Sequence, residues 1–217
     1  MKTDIQLKQD VIAELGWEPS VNAAQIGVEV QGGIVTLAGH VDSYSEKWHA
    51  ERATQRVAGV KGLVVELDVK LPGSSQRTDA DIARAADQVL RWSTYLPADA
   101  VKIKVEHGWI TLSGEVEWDY QRRDAAEAVG NLLGVTGVSE EITIRTKAGP
   151  GAVKANIEAA LKRRAHTDAS RISVDVRDGD VTLTGIVSSW SERDVAASSA
   201  WGSPGVRKVV DNLTIGY

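Results

Sequence analysis

Residues 178–193 read DGDVTLTGIVSSWSER, residues 32–47 read GGIVTLAGHVDSYSEK, and residues 107–122 read HGWITLSGEVEWDYQR. Laid over one another, they place Gly33, Gly108 and Gly179 at one position and Gly39, Gly114 and Gly185 at another, at offsets of 75 and 71 residues. The same offsets link Gly59, Gly134 and Gly205, each followed by a valine, and no gap is needed inside any copy. Between the copies stand LPGSSQRT (71–78) and TKAGPG (146–151), rich in the glycine, proline and small polar residues of linkers. Self-similarity at a fixed spacing marks a structural unit built more than once. The 217 residues therefore divide into modules at 1–71, 76–146 and 150–217, with linkers at 72–75 and 147–149.

Each module repeats one order of elements. Leu7, Val11 and Leu15 share one face of a helix, as do Ile82, Ala86, Val89 and Leu90, and Val153, Ile157, Ala160 and Leu161. A period-two strand follows (Ile26, Val28, Val30; Val101, Ile103, Val105; Ile172, Val174, Val176), then a tight turn ending in Gly33, Gly108 or Gly179. The second strand sets Val35, Leu37 and Val41 against Ile110, Leu112 and Val116 and against Val181, Leu183 and Val187. Gly39, Gly114 and Gly185 fall on its inward face, where the usual reason for glycine is close approach of another backbone or a bulge, and a helix is expected to press there.

The second helix opens with Ser43-x-x-Glu46 and Ser189-x-x-Glu192, two capping boxes, whereas module two has Trp118 at the cap with Asp119 or Glu117 as a substitute. Gly59, Gly134 and Gly205 suit its left-handed end, and a last strand carries Leu67 and Val69, Ile142 and Ile144, or Leu213 and Ile215. The expected fold is α+β: three tandem αββαβ modules, each a three-stranded mixed sheet covered on one face by two helices.

The pattern G-x-(V/I)-T-L-x-G-x-V, a polar helix, then G-V-x-x-V-x-(D/N)-x-(L/I)-x-(V/I), resembles the BON domain. Module three spells it as Gly179-Asp-Val-Thr-Leu-Thr-Gly185-Ile-Val187 and Gly205-Val-Arg-Lys-Val-Val-Asp-Asn-Leu-Thr-Ile215. The resemblance covers nearly the whole chain outside the linkers and is similar to the hyperosmotically inducible periplasmic protein group and other bacterial envelope proteins. It implies a non-enzymatic module associating weakly with phospholipid or envelope surfaces in a stress-protective role. The alternative is a protein-interaction or self-assembly module forming homo-oligomers. Binding of a small cation or solute, reported for some relatives, is the lesser reading.

Composition is that of an ordinary globular chain, with 42% hydrophobic and 25% charged residues. A net charge of −5 argues against nucleic acid as partner. Residues 1–72 and 73–148 each carry −3 and residues 149–217 carry +1, so attraction to an anionic surface would favour module three. No apolar run reaches the length of a transmembrane helix. The start, MKTDIQLK, has no apolar stretch or cleavage site, which points to the cytoplasm, or to the periplasm for a chain whose leader has been removed. There are no cysteines, and His40, His49, His107 and His166 occupy different places in their modules. No catalytic group, metal site or cofactor is expected.

Seven tryptophans without one phenylalanine are an unusual aromatic choice. Trp17 and Trp92 sit just after their first helices, where module three has Arg163. Tyr44, Trp118, Tyr120 and Trp190 gather where the second strand meets the second helix. Such rings either pack over helix starts and between modules or meet a lipid headgroup boundary or a protein partner. By analogy with relatives that recognise lipid through a helix of one module, Trp92 and Tyr95 lead the candidates. The run Lys162-Arg163-Arg164 is the one basic cluster; it complements a helix C-terminus and offers a weak anionic-lipid contact.

Overall fold

A computed structural model describes residues 2–145, 150–163 and 171–216. Arg164, His166 and the 147–149 linker lie outside the described residues. The first module runs α1 (Asp4–Trp17), β1 (Ile26–Gln31), β2 (Ile34–Val41), α2 (Tyr44–Arg56) and β3 (Gly62–Val69). The second runs α3 (Asp79–Trp92), β4 (Val101–Glu106), β5 (Trp109–Val116), α4 (Asp119–Gly130) and β6 (Gly137–Ile144). The third runs α5 (Pro150–Arg163), β7 (Ile172–Arg177), β8 (Asp180–Val187), α6 (Trp190–Trp201) and β9 (Lys208–Ile215). Three separate three-stranded sheets result, ordered β1-β2-β3, β4-β5-β6 and β7-β8-β9. This is the mixed αββαβ unit that the periodicities predict, made three times.

In the first and third modules the central strand pairs antiparallel with the strand before it and parallel with the strand after the helical crossover. The hairpins are two-residue turns with positive φ at both central residues, Gly32-Gly33, His107-Gly108 and Asp178-Gly179. That geometry matches strand twist, and glycine at its second position carries no Cβ penalty. The first helical residue ties down the turn in two modules. Asp4 accepts from the Gly32 and Gly33 N–H groups (2.8 and 3.1 Å), and Asp79 from those of His107 and Gly108 (2.9 and 2.8 Å). The Gly108 and then the His107 hydrogen bond hold the Asp79 carboxyl below its ordinary pKa. Pro150 opens α5 at the matching place and offers no carboxylate there.

Each core fills the space between its sheet and two helices. Leu7, Val11 and Leu15 meet Val35, Leu37 and Val41 in the first module; Val153, Ile157 and Leu161 meet Val181, Leu183 and Val187 in the third. Burying one such side chain stabilises a module by about 1.5–3 kcal/mol.

The inward glycines answer to a different neighbour than a helix. A Cβ on Gly39 would collide with the Gln25 carbonyl oxygen, on Gly114 with that of Ala100, and on Gly185 with that of Arg171. Each of those carbonyls belongs to the residue just before the module's first strand. Their φ values of 134°, 134° and 142° lie where side-chain-bearing residues rarely go. The expectation of a helix at this point is corrected: the edge strand's own backbone, swinging in from the preceding loop, fills the space.

Contact density divides the chain into two compact units, Met1–Trp92 with Ile103–Thr111 and Glu127–Ser139, and Ser93–Lys102 with Leu112–Ala126 and Glu140–Tyr217. In the first unit the Tyr44 ring lies over Gly130, where an added Cβ would meet it at 3.2 Å, and Ser45 Oγ donates to Asn131 Oδ1 at 2.8 Å. In the second, the Arg122 guanidinium stands 4.5 Å from the Trp201 ring centroid.

Candidate functional site

The candidate site grows out of the start of the second helix. In module one, Ser43 caps α2 and the carboxylate of Glu46, 8% exposed, bridges two chain segments. It accepts from the Asn22 N–H and the Asp42 N–H, both at 2.7 Å, pinning the loop that precedes β1 to the helix start. In module three Glu192 accepts from the Ser188 N–H at 2.6 Å. Module two has Gln121 at the place of Glu46 and Glu192. Its Oε1 accepts from the Glu117 and Trp118 N–H groups at 3.0 Å, and its Nε2 donates to the Tyr95 carbonyl at 2.7 Å. The loop here presents a carbonyl where module one presents an N–H, so an amide fits and a carboxylate does not.

That bond fixes Tyr95 on α4. Ser93 Oγ adds a bond to Asp124 Oδ2 (2.8 Å) and accepts from the Tyr95 N–H (3.3 Å). The Tyr95 ring then meets Tyr120 edge to face, with centroids 5.9 Å apart, and Tyr120 stacks on Trp118 at 6.4 Å. Tyr95 is 58% exposed and Tyr120 47%, while Trp118 is half-buried. Edge-to-face and offset pairs are favourable arrangements for aromatic rings, and each ring keeps an apolar face and a polar rim available.

Beneath the patch lies charge that is internally neutralised. Asp119 is 2% exposed and pairs with Arg122 (2.5 Å) and Arg123 (2.9 Å). Burial pushes the Glu140 carboxyl above its ordinary pKa, although Arg122 nearby acts the other way.

The remaining candidates are not drawn into this patch. Trp92 ends α3 and Trp17 ends α1, 79% and 84% exposed, and Arg163 ends α5 as their correspondence required. Tyr44 is half-buried against Gly130. Trp190 is half-buried with the Arg193 guanidinium 5.1 Å from its ring centroid. Lys162 and Arg163 are exposed in the last turn of α5. Among the described residues, no helix is long and apolar enough to cross a membrane, and no group of three His, Asp or Glu could hold a metal ion. Gln121 was missed because a capping box is sought as Ser-x-x-Glu, yet a glutamine three residues past the cap position carries the same signal. The patch can recognise by burial, stacking and hydroxyl hydrogen bonds.

Comparison with protein families agrees with this architecture. The BON domain family matches at residues 3–70, 78–146 and 151–217. The chain is 27% identical over 173 residues to the Osmotically-inducible protein Y of Escherichia coli (strain K12), covering 76% of this chain and 86% of that protein. Among solved structures, it is similar at 15% identity to CdsD, a structural protein of the type III secretion system of Chlamydia trachomatis, over 96% of this chain and 91% of that one, with a TM-score of 0.27. It is also similar at 13% identity to the PrgH periplasmic domain, over 89% and 96%, with a TM-score of 0.22. The family match spans each module in turn, and the chain belongs to the BON domain family, with three BON domains in tandem.

Proposed function

We propose that this chain is a non-catalytic binding protein whose second BON domain takes hold of a protein partner through Tyr95, Tyr120 and Trp118. One observation carries the reading: three rings from two segments meet on the surface, and a buried glutamine holds the segments together. Tyrosine and tryptophan supply contact area at a small entropic cost, which makes them the usual anchors of protein interfaces. Arg122 and Arg123, which follow Tyr120 in the chain, pair with Asp119, and Arg122 also lies 3.8 Å from Glu140, so these cations are met by as many carboxylates. By likeness to the osmotically inducible relative, the working condition is osmotic upshift.

A photo-crosslinking residue at position 95, introduced in osmotically stressed cells, tests this. A discrete protein adduct is expected, weakened at least tenfold by Tyr120→Ala with Trp118→Ala. Vesicle flotation on the same variants supplies the opposing outcome. If purified chain floats with anionic vesicles and the double variant does not, the patch reads lipid and the protein-partner reading falls.

A further inference from the structure

We infer that the first domain takes up an extended peptide strand, patterned apolar-x-acidic-x-apolar, in the groove between α1 and the open edge of β1. β1 pairs with β2 and stands at the edge of its sheet. The two-residue turn closes on Gln31 and Ile34, and antiparallel pairs alternate, so Gln31, Glu29 and Gly27 bond through their main chain to β2. The N–H and C=O groups of Val28 and Val30 therefore point away from the sheet, spaced to receive another strand. A cavity of about 600 Å³ opens here, lined by Lys8 of α1, by Glu29, Val30 and Gln31 of β1, and by Ile34 and Thr36 of β2.

The helix supplies the wall. Ile5, Lys8 and Ile12 follow one another at spacings of three and four residues and share a stripe, with Ile5 73% and Ile12 48% exposed. The core is served by another face of α1, through Leu7, Val11 and Leu15. Lys8 makes no ion pair among the described residues. A strand laid along β1 turns every second side chain toward the helix. Apolar groups there meet Ile5 and Ile12, and a carboxylate between them meets Lys8. Side chains facing the other way meet Glu29, so acids are unfavourable there. The other two domains do not repeat the stripe: Ala80, Ala83 and Asp87, and Gly151, Lys154 and Glu158, stand at these places. Their edge strands carry ion pairs instead, Lys104 with Glu106 (3.0 Å) and Arg177 with Asp175 (3.1 Å). Charge along an edge discourages the addition of a strand. The inference does not rest on the Tyr95 patch.

Fluorescence anisotropy of the full chain with a labelled heptapeptide, Thr-Val-Thr-Glu-Thr-Val-Thr, tests it. Saturable binding is expected, with slowed solvent exchange at the Val28 and Val30 amides. Lys8→Glu should weaken binding by about tenfold or more, and a probe with lysine in place of its glutamate should restore it. A purely structural role for Lys8 predicts no such rescue. Ile12→Asp places on α1 the residue that the second domain has at Asp87; it should weaken binding by about tenfold or more with an unchanged circular dichroism spectrum. Tyr120→Ala with Trp118→Ala should leave binding unchanged. No binding up to about 1 mM probe overturns the inference. So does binding that is indifferent to both α1 variants, or that is lost with the Tyr120 and Trp118 variants. A purified chain that is dimeric by light scattering and becomes monomeric with Ile12→Asp also overturns it, because the edge then belongs to a second copy.

Discussion

Gly39, Gly114 and Gly185 show how much a single residue type can declare and what it keeps back. Their recurrence on the inward face of a strand announced that something approaches too closely for a Cβ. It could not announce what, because the neighbour is a main-chain carbonyl, and every residue has one. Gln25, Ala100 and Arg171 share no side-chain character, so no pattern at those positions marks the approach. The consequence is measurable within one strand pair. Gly39→Ala combines a positive φ with a carbonyl collision and should destabilise the first domain by about 3 kcal/mol or more in urea unfolding. Gly27→Ala on the adjacent strand meets only the Ala38 carbonyl oxygen at 3.4 Å, an ordinary contact, and should change stability by less than about 1 kcal/mol. Equal effects at the two sites would show that the collision is relieved by a backbone shift.

At the scale of elements, strands and helices were legible because burial imposes their periods. Val35, Leu37 and Val41 alternate, and Leu7, Val11 and Leu15 recur by fours, for the same reason that they are buried. Junctions were less legible. Ser43 and Glu46 could be read as a helix cap, but that Glu46 also clamps the Asn22 loop depends on a loop 24 residues away. Module two exchanges both partners together, a glutamine amide on one side and a carbonyl on the other. The exchange predicts a reciprocal pair of effects. Gln121→Glu turns a carboxylate oxygen toward the Tyr95 carbonyl, while Glu46→Gln turns one amide N–H toward a backbone N–H. Each should cost about 1–3 kcal/mol, the penalty of a buried group left without its partner. For Gln121→Glu, the Tyr95 amide should also exchange faster with solvent, and the Tyr95–Tyr120 ring contact should be lost from aromatic NMR shifts. A stable Gln121→Glu chain with both rings in place would mean that the loop is held by Ser93 and Asp124 alone.

For the molecule as a whole, the repeat was the most legible feature, since offsets of 75 and 71 residues needed no structural knowledge to find. The contacts between domains were not, because they are made by residues that differ in every copy: tyrosine on glycine in one place, arginine on tryptophan in the other. The three domains also differ in how firmly helix and hairpin are joined. Asp4 and Asp79 each hold two turn amides from the first position of a helix; Pro150 holds none. Proline is well suited to begin a helix, so α5 forms, but it offers the turn at Asp178-Gly179 no carboxylate from the place that serves the other two turns. Hydrogen exchange should therefore protect the amides of His107 and Gly108 more strongly than those of Asp178 and Gly179, beyond what their intrinsic rates account for. Pro150→Asp should supply the missing acceptor and slow exchange at 178 and 179 by about tenfold, the equivalent of roughly 1.4 kcal/mol for new charge-assisted bonds. Asp79→Asn should do the reverse at 107 and 108, since an amide can accept through one oxygen only. If the three hairpins exchange alike in the wild-type chain, the carboxylate clamp is incidental, and the sheet alone holds the turns.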